Sequence, residues 1–312
     1  MLDEFHWCTV TRISPEAPVP ICKVNRTELV PGGAANVAHN IKTLGGNPQL
    51  LGVIGADSTG NKLIQELHKA KISADNILKD PERPTTLKSR IIAHHQQVAR
   101  VDREDVSTLS EALESQFLYK LKLFPSNLHG IVISDYLKGT ITPKLLQTLI
   151  KFGRSHHIPI VIDPKGDDYK KYHHATVLTP NFSEFELAIH QKITSEEQLT
   201  TEGLKLIEKL QLDGLVITRS EKGATILNKN GSRCDVPTKA KEVYDITGAG
   251  DTVISVLAMG MAAGLDLPTA THLANEAAGI VVGKLGTATL TLDELKETLH
   301  NEQLLKHEPP VS

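Results

Sequence analysis

Apolar side chains recur along this chain with two different spacings, and the change between them divides it. Over the first thirty residues, β-branched and polar positions alternate in short, proline-broken stretches such as TRISPEAPVP and Val19-Pro-Ile-Cys-Lys-Val24. Period-two alternation that tolerates proline predicts an edge strand or a lid strand. From about residue 45 the texture changes. Short apolar runs at 50–54, 130–134, 158–162, 176–178 and 214–218 read as buried strands, 86–102 as two strands and 224–236 as a hairpin. Between them, helical spacing covers 62–67, 110–123, 143–153, 195–210, 251–263, 269–283 and 292–300. Apolar strands alternating with amphipathic helices predict a mostly parallel sheet covered on both faces, a three-layer α/β architecture. The closing HEPPVS reads as a frayed end.

Composition narrows the classes without choosing one. Of 312 residues, 40% are hydrophobic and 23% charged, which supplies a sizeable core and excludes a wholly disordered chain. Thirty-four Lys and Arg against 37 Asp and Glu leave −3, so the basic balance of a dedicated nucleic-acid binder is missing. No apolar run approaches a membrane-spanning length. The opening MLDEFHWCTV has no apolar core of the kind a signal peptide needs. Cys8, Cys22 and Cys234 are odd in number, far apart and form no CxxC pair. That usage argues against a disulfide framework or a cysteine zinc site and points to a reducing cytoplasm.

Three motifs carry candidate chemistry. In Asp245-Ile-Thr-Gly-Ala-Gly-Asp251, small residues lead into an apolar helix. Free amides and the positive dipole end at a helix start cradle an anion, and Asp251 beside them is suited to deprotonate an attacking hydroxyl. The same amides predict a low pKa for Asp251. The alternative is an ordinary glycine turn with Asp251 as cap. In Pro31-Gly-Gly-Ala-Ala-Asn-Val-Ala38, two glycines permit close backbone approach and Asn36 offers both a donor and an acceptor, as a sugar requires; tight helix–strand packing is the bland reading. In Thr179-Pro-Asn-Phe-Ser-Glu-Phe-Glu186, Asn181 and Glu184 lie three apart on one face of a first helical turn. A carboxylate there suits magnesium, and it suits a capping box equally well. Gly55-Ala-Asp-Ser-Thr-Gly60-Asn61-Lys62 has Walker-type glycine spacing but asparagine where the lysine must be, so it reads as a helix start. His94-His95, His156-His157 and His173-His174 are sequence neighbours that point apart, which disfavours a histidine metal site.

Taken together and in this order, the double-glycine loop, the NxxE element and the D-x-TGAGD loop resemble the signatures of the ribokinase/PfkB carbohydrate kinases. The likeness runs from residue 1 to about 300. Within that family, TRISPEAPVP, PGGAANVAHNI, ISDYLKGTI, LTPNFSEFE, ITRSEKG, YDITGAGDTVISVLA and VVGKLGTATL resemble the kinases of D-glycero-β-D-manno-heptose 7-phosphate. The resemblance implies a ribokinase-like αβα sandwich over 1–300, with lid segments within about 5–30 and 86–102 and a tail at 301–312. It implies ATP and Mg2+ as cofactors, a sugar phosphate as substrate and a homodimer joined through the lid. It implies Asp251 as catalytic base, with Gly248, Ala249 and Gly250 as anion hole. Asn181, Phe182, Ser183, Glu184, Thr218, Ser220, Gly223 and Asp245 fall on the nucleotide side, with Glu184 at the metal. Asp3, Gly33, Asn36 and Asp135 fall where sugar hydroxyls are held, and Arg12, Lys88 and Arg90 are the cations available for a 7-phosphate dianion.

Two departures stand out. The family's opening apolar strand, ending in Gly-Asp, would precede Met1-Leu2-Asp3 and is not in this sequence. His94-His95 also stands where Arg-Asn is usual. No HxGH nucleotidyltransferase motif occurs, so the chain reads as a stand-alone kinase. Another PfkB-type sugar kinase, of fructokinase or ribokinase type, and a catalytically silent sugar- or nucleotide-binding homologue are the alternatives.

Overall fold

Strand residues Ile160-Val-Ile-Asp163 show how the architecture is built. Alternate side chains of a strand point to opposite faces. Val161 joins one buried cluster, while Ile160 and Ile162 join another. The same division runs through neighbouring strands, with Val177, Val216 and Ile226 on the first face and Leu178, Leu215, Ile217 and Leu227 on the second. A sheet with two apolar faces needs a helical layer on each side.

The chain was analysed as a computed structural model that describes residues 1–307 apart from 95, 125–126, 239–246, 285 and 287. Its main sheet contains β7 (Ile131–Ser134), β8 (Ile160–Asp163), β9 (Val177–Leu178), β10 (Gly214–Thr218), β11 (Ala224–Asn228) and β12 (Arg233–Val236), in the order β12-β11-β10-β9-β8-β7. β7 to β10 run parallel, and β11 and β12 close the sheet as an antiparallel hairpin. One face is covered by α7 (Ala249–Ala262) and α8 (Leu267–Val282). The other is covered by α4 (Pro143–Ser155), α5 (Phe182–Ala188) and α6 (Glu196–Leu210). A short separate pair, β3 (Gly52–Gly55) and β4 (Ile77–Asp80), lies with α1 (Ala34–Thr43), α2 (Ser58–Lys69) and α3 (Glu111–Lys122). α9 (Leu292–His307) follows α8.

The proline-broken opening forms a sheet of its own. β1 (Leu2–Ile13) pairs antiparallel with β2 (Pro20–Pro31) and parallel with β5 (Leu87–Ala93), and β6 (Gln96–Arg103) completes the order β2-β1-β5-β6. β2, as expected of its prolines, is an edge strand. The two-strand expectation for 86–102 corresponds to β5 and β6, whose turn includes His94; His95 lies outside the described residues. The short, proline-broken stretches understated one feature: β1 is twelve residues long, and its Leu2, Asp3 and Phe5 are buried while its far end is exposed. Among the described residues, no helix is long and apolar enough to cross a membrane.

Candidate active site

The site is assembled where α1 meets α7. Gly33 precedes α1 with a φ of 57°, and a Cβ there would stand 3.0 Å from both Met1 and Tyr136. Gly32 leaves room for Asp3, whose Oδ2 would lie 2.4 Å from a Cβ at that position. The double glycine thus serves close packing on two sides, and it delivers Asn36 into the interior. Asn36 Nδ2 donates to Asp251 Oδ2 at 2.8 Å. Tyr136, just beyond β7, donates its hydroxyl to Asp251 Oδ1, also at 2.8 Å. Further along the same helix pair, the Ser255 hydroxyl donates to the Val37 carbonyl at 3.2 Å.

Asp251 lies in the first turn of α7, behind the left-handed Gly248, which provides no side-chain cap. A Cβ built on Gly250 meets nothing within 4 Å, so open space faces this turn and helix packing does not demand the glycine. Free first-turn amides beside open space fit an anion. The sequence-based expectation of a low Asp251 pKa is overturned. The carboxyl is pushed up to about 6, because burial outweighs the Asn36 and Tyr136 hydrogen bonds that favour its ionised form.

Asp163 ends β8 nearby. Its carboxyl rises to about 8, chiefly through burial and then through the negative fields of Glu184 and Asp251. Glu184 belongs to a complete capping box: Asn181 Oδ1 accepts from the Glu184 amide, and Glu184 Oε2 accepts from the Asn181 amide, both at 2.9 Å. The other oxygen, Oε1, accepts from Lys165 Nζ at 2.5 Å. The capping reading is therefore realised, and one carboxylate oxygen still faces a cation. Thr218 sits beside Asn181 in a parallel bridge, donating its amide to the Pro180 carbonyl at 3.0 Å. Phe182 lies under the Arg219 guanidinium, and Ser183 is exposed. Ser220 and Gly223 bound the turn between β10 and β11. Gly223 is held there by a φ of 77° and by Val236 O, which a Cβ would meet at 2.0 Å. Asp245 lies outside the described residues.

The sugar-side candidates divide. Asp3 is buried and paired with Arg90, whose Nη1 donates to Asp3 Oδ1 at 2.7 Å while the guanidinium lies over Phe5. Lys88, opposite Asp3 in the strand register, faces Asp102 at 3.9 Å. Asp135 is buried with its acceptors engaged by Lys171 Nζ (2.7 Å), the Tyr172 hydroxyl (2.8 Å) and the Leu137 amide (2.8 Å). It braces the end of β7, with two donors on Oδ2 and one on Oδ1. Arg12 is exposed at the opposite end of β1 from Asp3, nine residues or roughly 30 Å along an extended strand, so it stands apart from the other cations. Tyr136, Asp163 and Lys165 were not singled out from the sequence. The signal available was position alone: each follows or ends an apolar strand on the side where strand ends converge on a ligand.

Comparison with known proteins gives the family of the chain. The model of the pfkB family carbohydrate kinases matches residues 5–294, and the chain belongs to that family. It is a carbohydrate kinase, a phosphotransferase with an alcohol group as acceptor. It is 45% identical over 295 residues to the "Bifunctional protein HldE" of Geotalea uraniireducens, covering 95% of this chain and 60% of that protein. The corresponding protein of Haemophilus influenzae is 47% identical over 300 residues, covering 96% and 62%. The chain thus spans about three fifths of the length of these curated relatives. In three dimensions it is similar to phosphofructokinase-2 from Escherichia coli in complex with potassium, with a TM-score of 0.80 at 17% identity over 97% of this chain and 96% of that one. It is also similar to Arabidopsis thaliana ribokinase complexed with ribose and ATP, with a TM-score of 0.75 at 16% identity over 96% and 95%. These likenesses identify the fold as ribokinase-like, an αβα sandwich with an additional sheet.

Proposed function

We propose that the chain transfers the γ-phosphoryl group of ATP to the anomeric C1 hydroxyl of D-glycero-β-D-manno-heptose 7-phosphate, giving the 1,7-bisphosphate and ADP, a step towards ADP-heptose and the lipopolysaccharide core. The observation that carries the chemistry is Asp251, a buried carboxylate fixed by Asn36 and Tyr136 next to the uncapped first turn of α7. Support for the sugar comes from the heptose-kinase-like stretches of sequence and from the 45–47% identity to the HldE proteins. Asp251 orients the C1 hydroxyl and takes its proton as the oxygen attacks phosphorus. The 248–250 amides face the transferring phosphoryl oxygens, and ADP departs in line.

The donor set fits magnesium. Glu184 would supply a hard carboxylate oxygen to the ion, the rest of whose shell would come from phosphates and water. Magnesium, when bound, neutralises charge on the phosphate oxygens. Lys88 and Arg90 are the candidate cations for the 7-phosphate, and Arg90 would have to leave Asp3 to reach it. That sheet serves as the lid. Exposed Ile13, Val19, Val24, Val98 and Val101 around it support a homodimer through this surface.

The test is turnover with ATP and heptose 7-phosphate against fructose 6-phosphate and ribose. A kcat/KM for the heptose at least tenfold above the others is expected. A preference for either of the others would assign the chain to another sugar.

A further inference from the structure

Among the described residues, three side-chain cations near the acidic floor of the cleft have carboxylate partners, and the pairs differ in kind. Arg90 is buried against buried Asp3. Lys171 holds buried Asp135 and lies over the Tyr172 ring. Arg90 is locked in the interior, and Lys171, partly exposed, is held by two contacts. Lys165 is different. Its side chain is 49% exposed and reaches Glu184 Oε1 on a flexible stem, while Glu184 itself is only 14% exposed. The ammonium therefore occupies the one oxygen of Glu184 that the capping box leaves over.

Resting on the kinase reading above, we propose that Lys165 is a nucleotide-phosphate ligand whose ammonium is stored on Glu184 in the empty cleft and moves to the phosphates when a divalent ion takes that oxygen. Two cations on one carboxylate oxygen repel, whereas a polyphosphate arriving with its metal brings several negative oxygens within reach of a lysine stem. The exchange keeps the number of opposite-charge contacts constant. Without nucleotide the Lys165–Glu184 pair is neutral; with it, the metal satisfies Glu184 and Lys165 satisfies a phosphate oxygen. A lysine suits this exchange better than an arginine held bidentately, because its charge is compact and its stem rotates freely. Lys165 is thus a catalytic residue by contact with substrate, with Glu184 as its resting partner.

The experiment uses the full chain and no sugar, so the heptose assignment is not at stake. Affinity for MgATP and, separately, for Mn2+ alone is measured by titration calorimetry for the parent, Lys165→Gln and Lys165→Arg, with melting temperature alongside. For Lys165→Gln the expected result is MgATP binding weaker by about 10–100-fold, the usual span for a charge-assisted hydrogen bond. Mn2+ binding should tighten several-fold, because the competing ammonium is gone. Lys165→Arg should recover most of the MgATP affinity. Unchanged MgATP affinity in Lys165→Gln overturns the proposal. Weakened Mn2+ binding together with a lowered melting temperature overturns it too, since that is the signature of a brace for Glu184. If Lys165→Gln does not fold, Lys165→Ala decides by the same criteria: weakened MgATP binding with tightened Mn2+ binding supports the proposal, and unchanged MgATP affinity overturns it. Failure of the parent to phosphorylate heptose 7-phosphate, with these binding shifts intact, would remove the sugar assignment and leave Lys165 in place.

Discussion

At the scale of single residues, Asp251 works against the stability of its own fold. An unfolded aspartate titrates near 3.8 and the folded one near 6. The folded state therefore holds its proton more tightly, and stability falls as pH rises from about 4 through 6 and stays reduced above. At about 1.4 kcal/mol per pH unit, the ionised carboxylate costs roughly 3 kcal/mol at pH 8. Asp251→Asn should melt higher than the parent at pH 8, with the difference disappearing towards pH 4, while turnover falls about 10²–10⁴-fold. Melting curves across this range check the first statement and a coupled ADP assay the second. The parent's kcat/KM should fall below about pH 6 as the base becomes protonated. Tyr136→Phe removes a donor that favours the ionised carboxylate, so this acid limb should move to higher pH with the melting temperature little altered. A limb that stays in place would mean that Tyr136 only fills space.

At the scale of elements, the legible and the illegible separate by physical cause. β8, β10, α4 and α6 were readable because their periodicity is local: apolar runs bounded by turn residues, and helical stripes with Thr142 and Ser195 as caps. β4 is short, four residues, and its burial depends on partners far away in sequence, whereas α5, seven residues, was legible as a first turn through its Asn181–Glu184 spacing. Among candidate residues, Asn181 and Glu184 were identified from spacing within one turn. Tyr136 and Lys165 were not, because their significance lies in partners 115 and 19 residues away. Likewise, the depth of Asp251 is a property of packing against α1, which no local pattern encodes. The turn joining β10 to β11 provides an element-level test. Gly223→Ala forces a Cβ to within 2.0 Å of the Val236 carbonyl at a positive φ. It should destabilise the chain by more than about 1 kcal/mol in urea unfolding and weaken ATP binding by displacing Ser220. A fully stable variant would show that the hairpin yields.

At the scale of the whole molecule, backbone pairing is distributed unevenly. Among the described residues β3 pairs only with β4, and β7 only with β8 on its one side. The outer sheet carries most of its surface exposed along β2 and β6. β8, β9 and β10 are flanked on both sides by strands and covered on both faces. Amide hydrogen exchange should therefore be slowest in β8 to β10, with β2 and β6 the first strands to exchange and the β3–β4 pair intermediate. ATP with magnesium should slow exchange around 163–165 and 181–184 more than in β2. Uniform protection across the three sheets would contradict this ordering.

The Asn36–Asp251 hydrogen bond also has a meaning in time. Its two ends are separated by 215 residues of chain. A ribosome adding about 5–20 residues per second makes the asparagine roughly 10–40 s before the aspartate it will hold. Throughout that interval Asn36 lacks the carboxylate to which it donates in the folded chain. With Asp251 as the proposed base, phosphoryl transfer would have to wait until α7 emerges and docks, and a product released before that point should be inactive.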